Sequence, residues 1–174
     1  MPNTTNGLPY PSGGDSLGDL DTLIQALAEA VDDKVLKAWD AYTPAFTSSA
    51  TAPNVGTTGS VTGAYRLRGK TVDYRVKIIY GGTGIAGTGN FNIGLPVTPK
   101  TAVEDTNIGA ASLFDTSAGA AAGRYGASVY CHSASGALAR IGLGGTGGGV
   151  WAGTAPFTPA AGDIVSISGT YEAA

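Results

Sequence analysis

Gly82, Gly84 and Gly87, in the stretch YGGTGIAGTGN at 80–90, spell G-x-G-x-x-G directly after an apolar run. That spelling serves a dinucleotide when the third glycine opens a helix whose N-terminal amides hold the pyrophosphate and a second parallel strand follows. Here the next residues are Thr88-Gly89-Asn90-Phe91-Asn92-Ile93-Gly94-Leu95-Pro96, in which no helix starts. Glu104 and Asp105 stand where a ribose-binding acid belongs, about twenty residues on, but in a Pro/Thr/Asn setting with no strand pattern before them. The glycines therefore read as a flexible loop joining two antiparallel strands. The run Gly144-Gly145-Thr146-Gly147-Gly148-Gly149 lacks the terminal Gly-Lys-Ser/Thr of a phosphate loop.

His132 is the only histidine, and Ser133 and Ser135 lie near it. A catalytic triad needs a nucleophile, a base and an orienting acid converging in space, whereas neighbours on a strand point to opposite faces. His132 thus reads as a half-exposed polar strand residue. Asp and Glu are sparse in the β region, so no pair suggests glycosidase work and no cluster offers ligands to a hard metal. Cys131 is the only cysteine, which excludes an intramolecular disulfide and a multi-cysteine zinc site and leaves a small buried hydrophobe. The expectation is a protein that is not an enzyme and needs neither cofactor nor metal.

The 174 residues, 43% of them hydrophobic, suffice for one domain that buries roughly two thirds of its unfolded surface. With 13% charged residues and 28 glycines, the composition is one of tight turns rather than of disorder. The net charge of -3 hides an asymmetry: residues 1–42 carry seven acids and two lysines, net -5, and residues 43–174 carry six acids and eight basic residues, net +2. Two regions with different jobs are expected. No dense Lys/Arg patch with interleaved aromatics offers itself to nucleic acid. No run approaches the length of a membrane-spanning helix, and the N-terminus has neither the basic start nor the apolar core of a secretory signal. No membrane insertion is expected.

Residues 1–16 combine Pro2, Pro9 and Pro11 with Gly7, Gly13 and Gly14, which forbids regular structure. Such an arm is extended, and its stiff apolar segment Leu8-Pro9-Tyr10-Pro11 suits a groove on another protein; a frayed terminus is the competing reading. Residues 17–41 are the one helix, capped by Ser16 with Asp19 and Asp21 near its positive end. Leu17, Ile24, Val31 and Ala38 fall seven apart and Leu20 and Leu27 interleave with them, an a/d seam. Lys34 at the next d position limits the repeat to about two and a half heptads. An amphipathic helix lying on its own domain fits the same period. The helix has no partner helix in its own sequence, which favours self-association. Trp39, on its last turns, is expected to pack against the base of the head.

From Ala45 onward the period becomes two, with turn residues roughly every 8 to 12 positions. Tyr65 and Leu67 lead into Arg68-Gly69-Lys70, after which Val72, Tyr74, Val76, Ile78 and Tyr80 alternate with Asp73, Arg75 and Lys77. That is a hairpin with one buried and one wet face. Phe91, Ile93 and Leu95 alternate again, and Val129 and Cys131 alternate against Ser128, Tyr130 and His132. A second hairpin turns at Ser133-Ala134-Ser135-Gly136 and returns through Leu138 to Leu143. The last strand spans 163–172, with Val165, Ile167 and Tyr171 on one face. These strands predict a mainly β chain, with an antiparallel β-sandwich, jelly-roll-like head at 42–174.

The opening Thr4-Thr5-Asn6-Gly7-Leu8-Pro9-Tyr10-Pro11, followed by IQALAEAVD at 24–32, resembles the N-terminus of small tail-fibre or receptor-binding proteins of tailed bacteriophages, especially those of actinobacterial hosts. WDAYTPAF at 39–46, GAYRLRGKTV at 63–72 and the ending Pro156-Phe157, Ala161-Gly162-Asp163 and Ser168-Gly169-Thr170-Tyr171-Glu172 are similar to the β-rich head of the same proteins. The likeness covers nearly the whole chain and rests on the order of the blocks. Phe46 departs from the tryptophan usual in Tyr-Thr-Pro-x-Trp.

The resemblance implies a homotrimer: the arm held by other tail or baseplate proteins, a short three-stranded coiled coil at 17–41, and the head facing a host cell-wall or surface polysaccharide. Ile and Val at a with Leu at d favour two strands in isolated coils, so three strands are an implication of the resemblance alone. Avidity from three heads supports a short seam. The virion would assemble in the host cytoplasm. A purely structural virion component without a host ligand is the alternative; a glycan depolymerase would want paired acids and a longer repetitive β-helix.

Sugar sites in non-enzymatic β heads combine an exposed aromatic with hydroxyls, amides and a charged group. Trp151, after the glycine run, is the candidate aromatic, with core or trimer interface as its other reading. Tyr125, Tyr130, His132 and Arg140 are the candidates to join it, because the second hairpin gathers polar residues on one face.

Overall fold

The computed structural model describes residues 10, 19–35, 37–119, 122–144 and 149–174. Leu8, Pro9, Pro11, Ser16 and Leu17, and residues 145–148 of the glycine run, lie outside the described residues. The chain is mainly β, with one α-helix among the described residues. It divides into two compact units, residues 1–38 with Leu67–Gly69 and residues 39–66 with 70–174.

In the first unit, helix α1 spans Leu20–Val35. Its sequence, LDTLIQALAEAVDDKV, holds neither Gly nor Pro and is rich in Leu, Ala, Gln and Glu, which lose little freedom in a helix. Asp21 sits in the first turn, and Gln25 Nε2 donates to Glu29 Oε1 at 2.7 Å, one turn on. Leu23 is buried, while Leu20, Ile24 and Leu27 are 44%, 59% and 39% exposed. Val31 is half-buried, and Tyr10, the one described member of the Leu8–Pro11 segment, is exposed. The expected helix was longer at its end. Ala38 and Trp39 are irregular, so neither is helical, and a strand already begins at Asp40. The reason is pairing: Asp40, Ala41 and Tyr42 lie opposite Tyr65, Ala64 and Gly63, and ladder bonds outweigh a continued heptad period.

The second unit carries the sheet. Its strands are β1 Asp40–Tyr42, β2 Phe46–Ser48, β3 Ser60–Arg68, β4 Thr71–Ile79, β5 Phe91–Gly94, β6 Asn107–Phe114, β7 Arg124–Ser133, β8 Leu138–Leu143 and β9 Ile164–Glu172. They form one hydrogen-bonded sheet in the order β1-β3-β4-β9-β6-β7-β8-β5-β2. Laid flat, its edges would stand ~38 Å apart at the usual strand spacing. Yet only Thr43-Pro44-Ala45 separates edge strand β1 from edge strand β2. The four steps from Tyr42 to Phe46 reach at most ~14 Å, so the sheet must curl. It does, as an antiparallel half-barrel, and Gly94 N donates to Ala45 O at 2.7 Å to fasten that bridge to β5. Antiparallel pairing and a one-sided core agree with the expected sandwich class; the continuous order around the curl was not legible in the strand pattern.

Register explains the core. β4 and β9 pair from Thr71↔Glu172 to Ile79↔Ile164, which sets Val72 against Tyr171, Val76 against Ile167 and Ile78 against Val165 on the inner face. All six are at most 4% exposed. Asp73, Arg75 and Lys77 then fall on the outer face against Thr170, Ser168 and Ser166. The two predicted hairpins are present: Gly69, at φ +61°, and Lys70 connect β3 to β4, and β7 turns into β8. Where Gly109 of β6 faces Gly169 of β9, a Cβ on either would strike the backbone of the other strand, beside the register shift between Asn107 and Gly109.

Candidate functional site

The glycines of the dinucleotide spelling are turn points. Gly82, Gly84 and Gly87 have φ of +70°, +80° and +136°, and the residues after them enter strand β5 rather than a helix. Their loop is laced to the β2–β3 connection: Gly81 N donates to Val55 O at 2.8 Å, and Asn54 and Ala86 exchange both backbone bonds at 2.8 and 3.1 Å. Ser133 Oγ accepts from Gly136 N at 3.2 Å, which spends it on the β7–β8 turn.

The five residues expected around a sugar are divided between the faces of the sheet. Trp151 is 1% exposed, its ring stacked on Phe46 at 5.4 Å and met edge-on by Phe91 at 4.8 Å. Its own backbone ties β5 to β8, with Trp151 N donating to Ile141 O and Phe91 N to Trp151 O. No face of that ring is open to a ligand; it is core. Tyr125 has the parity of Val129 and Cys131, which are buried, and its ring lies 5.6 Å from Phe157. Tyr130 and Arg140 do share the outer face, directly opposite one another, while His132 falls at the register shift between Cys131 and Ser133. Arg140 Nε donates to Oδ1 of the buried Asn92 at 2.7 Å, which holds the guanidinium against the sheet. Burial, and next the Arg140 guanidinium, lower the His132 pKa below the ordinary histidine value, while Asp105 and Glu104 pull it upward.

The better-formed site lies on the outer face at the other end of the sheet. Asp73, Arg75 and Lys77 project there because they alternate with the core residues of β4. Trp39, just before β1, lies against them: the Arg75 Cζ is 4.6 Å and the Arg66 Cζ 5.0 Å from its ring centroid. Arg66 Nε donates to Asp73 Oδ2 at 2.9 Å, and Thr170 Oγ1 donates to Asp73 Oδ1 at 2.9 Å, so both carboxylate oxygens are engaged. The result is a groove of ≈ 450 Å³ with Trp39, Arg66, Arg75, Ser168 and Thr170 on its walls. A second hollow of ≈ 420 Å³ adjoins it, lined by Thr62, Arg75, Lys77 and Ser166, and Arg75 belongs to both. Guanidinium, ammonium, hydroxyl and indole on one open surface can bind a polar ligand. Among the described residues no group of three or more His, Cys, Asp or Glu is placed to hold a metal ion, and no helix is long and apolar enough to cross a membrane.

No family model matches the chain, and neither a curated protein nor a solved structure matches it.

Sequence reasoning missed this groove because its parts come from residues 39, 66, 73–77 and 166–170, with no local spacing to join them. One signal was present. Three charged residues, Asp73, Arg75 and Lys77, stand alternately on the wet face of the most regular strand, one hairpin turn from Arg66.

Proposed function

We propose that this chain is a non-enzymatic attachment protein of a tailed-phage virion, assembled in the host cytoplasm. It is a homotrimer joined through α1, gripped at its N-terminal arm by other tail proteins, with a jelly-roll-like head that binds a host-surface polysaccharide. The observation that carries the reading is the exposed stripe Leu20, Ile24 and Leu27 on an unbroken helix. Being about half exposed, each of these side chains gains roughly 1 kcal/mol on full burial, and further copies of the same helix, meeting a to a and d to d, would bury all three. The head adds the surface chemistry: the outer groove offers cations, hydroxyls and an indole, the groups that hold sugars.

Two measurements test it. Sedimentation equilibrium of the full chain should give three times its 17.2 kDa mass, and Ile24→Asp should give the single-chain mass by placing a charge in each seam. A monomer or dimer at micromolar concentration defeats the trimer. Separately, the intact protein should pellet with purified actinobacterial cell walls; a trimer that ignores them is the purely structural component instead.

A further inference from the structure

We infer that the outer face of β3, β4 and β9 selects an acidic polysaccharide over a neutral one. Arg75 and Lys77 take singly charged oxyanions on successive repeats of such a chain, and Ser166 and Ser168 take its hydroxyls. The inference rests on the glycan-binding reading above and names the ligand class of that groove.

Charge complementarity argues for it. Of the cations on this face, Arg66 is neutralised by Asp73, which Thr170 also holds. Among the described residues no carboxylate stands within ion-pair distance of Arg75 or Lys77, both of which are exposed. Arg75 is braced as well as open, since the Trp39 indole lies 4.6 Å from its Cζ. A guanidinium stacked on a ring keeps its N–H edge for a carboxylate or phosphodiester, with less side-chain freedom left to lose on binding. Arg75 and Lys77 are two residues apart on one strand, which sets their Cα atoms ~6.7 Å apart along the groove. Ser168 and Ser166 lie directly across from them on β9. The two hollows adjoining at Arg75 make room for more than one sugar unit. A neutral glycan would desolvate two cations without pairing them.

The test uses the full-length protein and three polymers: polygalacturonate, poly(glycerol phosphate) and dextran. Calorimetry should show binding to at least one anionic polymer and none to dextran, and added salt should weaken it. R75Q/K77Q should lower the affinity by at least about tenfold, since hydrogen bonds to charged groups are lost. Trp39→Ala keeps every charge and should still cost about threefold or more by releasing Arg75. Circular dichroism confirms that these surface variants fold. Dextran bound as well as the anionic polymers, unchanged affinity in R75Q/K77Q, or no binding to either polyanion overturns the inference. Unaffected affinity in Trp39→Ala also overturns it, by showing bulk charge attraction without a built site. Cell-wall binding that survives R75Q/K77Q defeats the groove and spares the attachment reading; polyanion binding without wall binding does the reverse.

Discussion

Trp151 and Trp39 are the only tryptophans of the chain, and the same ring does different work at each place. The Trp151 ring packs on the rings of Phe46 and Phe91, and the residue is 1% exposed. Around Trp39 the neighbours are the guanidiniums of Arg66 and Arg75, and the side chain is 38% exposed. The inner ring stabilises by leaving water; the outer ring orients cations that stay in it. The comparison breaks most visibly in stability. Trp151→Ala should lower unfolding free energy by about 3–5 kcal/mol, the cost of a large core cavity, and Trp39→Ala by no more than about 1 kcal/mol. Urea midpoints measure both, and equal losses would erase the distinction between the faces.

Carboxylates sharpen the same contrast at the next scale. Asp163, 1% exposed, accepts from Thr116 N at 2.9 Å, Thr116 Oγ1 at 3.1 Å and Ala160 N at 2.7 Å, tying the loop after β6 to the entry of β9. Asp163→Ala leaves three donors without their acceptor and should cost about 3 kcal/mol. Asp73→Ala, which unpairs Arg66 on the half-exposed outer face, should cost about 1 kcal/mol. A smaller loss at Asp163 than at Asp73 would mean that water replaces the buried carboxylate.

These contrasts also show what a sequence pattern encodes. The alternation of Val72, Tyr74, Val76 and Ile78, and of Val165, Ile167 and Tyr171, predicted buried faces that the β4–β9 register realises residue by residue. Period two is a local property, and so it is legible. The curl is not local: it follows from two three-residue edge strands, β1 and β2, too short to carry a period and defined by partners some twenty to fifty residues away. Two of the three β1 residues, Asp40 and Ala41, even fell inside a predicted helix. Trp151 shows the same limit, since Gly149 and Gly153 nearby suggest a loop tip while backbone bonds to Ile141 and Phe91 carry it inside. The groove at Trp39 needed all of these long-range facts at once. Tyr130, His132 and Arg140 were grouped in sequence because one hairpin supplies them; Tyr130 and Arg140 pair across it, and His132 falls at its bulge.

The finest version of the comparison lies within the core. Tyr74 and Tyr171 pack at 5.6 Å between ring centroids, and both are at most 4% exposed. The Tyr171 hydroxyl donates to Val97 O at 2.6 Å and accepts from Val97 N at 3.1 Å; the Tyr74 hydroxyl is buried without a partner. Tyr171→Phe should therefore cost about 1 kcal/mol, and Tyr74→Phe should be neutral or stabilising because it deletes an unpaired polar atom. Titration supplies an independent reading. Burial raises the Tyr171 pKa from 10.0 to about 12 and raises that of Tyr74 as well. The folded chain then keeps protons that the unfolded chain releases, so this stability is full below pH 10 and falls as pH climbs from 10 through 12. Removing a phenol removes its share of that fall, so Tyr74→Phe should lose less stability than the parent between neutral pH and pH 11. Urea midpoints at the two pH values decide it: if Tyr74→Phe declines as steeply as the parent, the Tyr74 hydroxyl is solvated and the inner face is wetter than its packing implies.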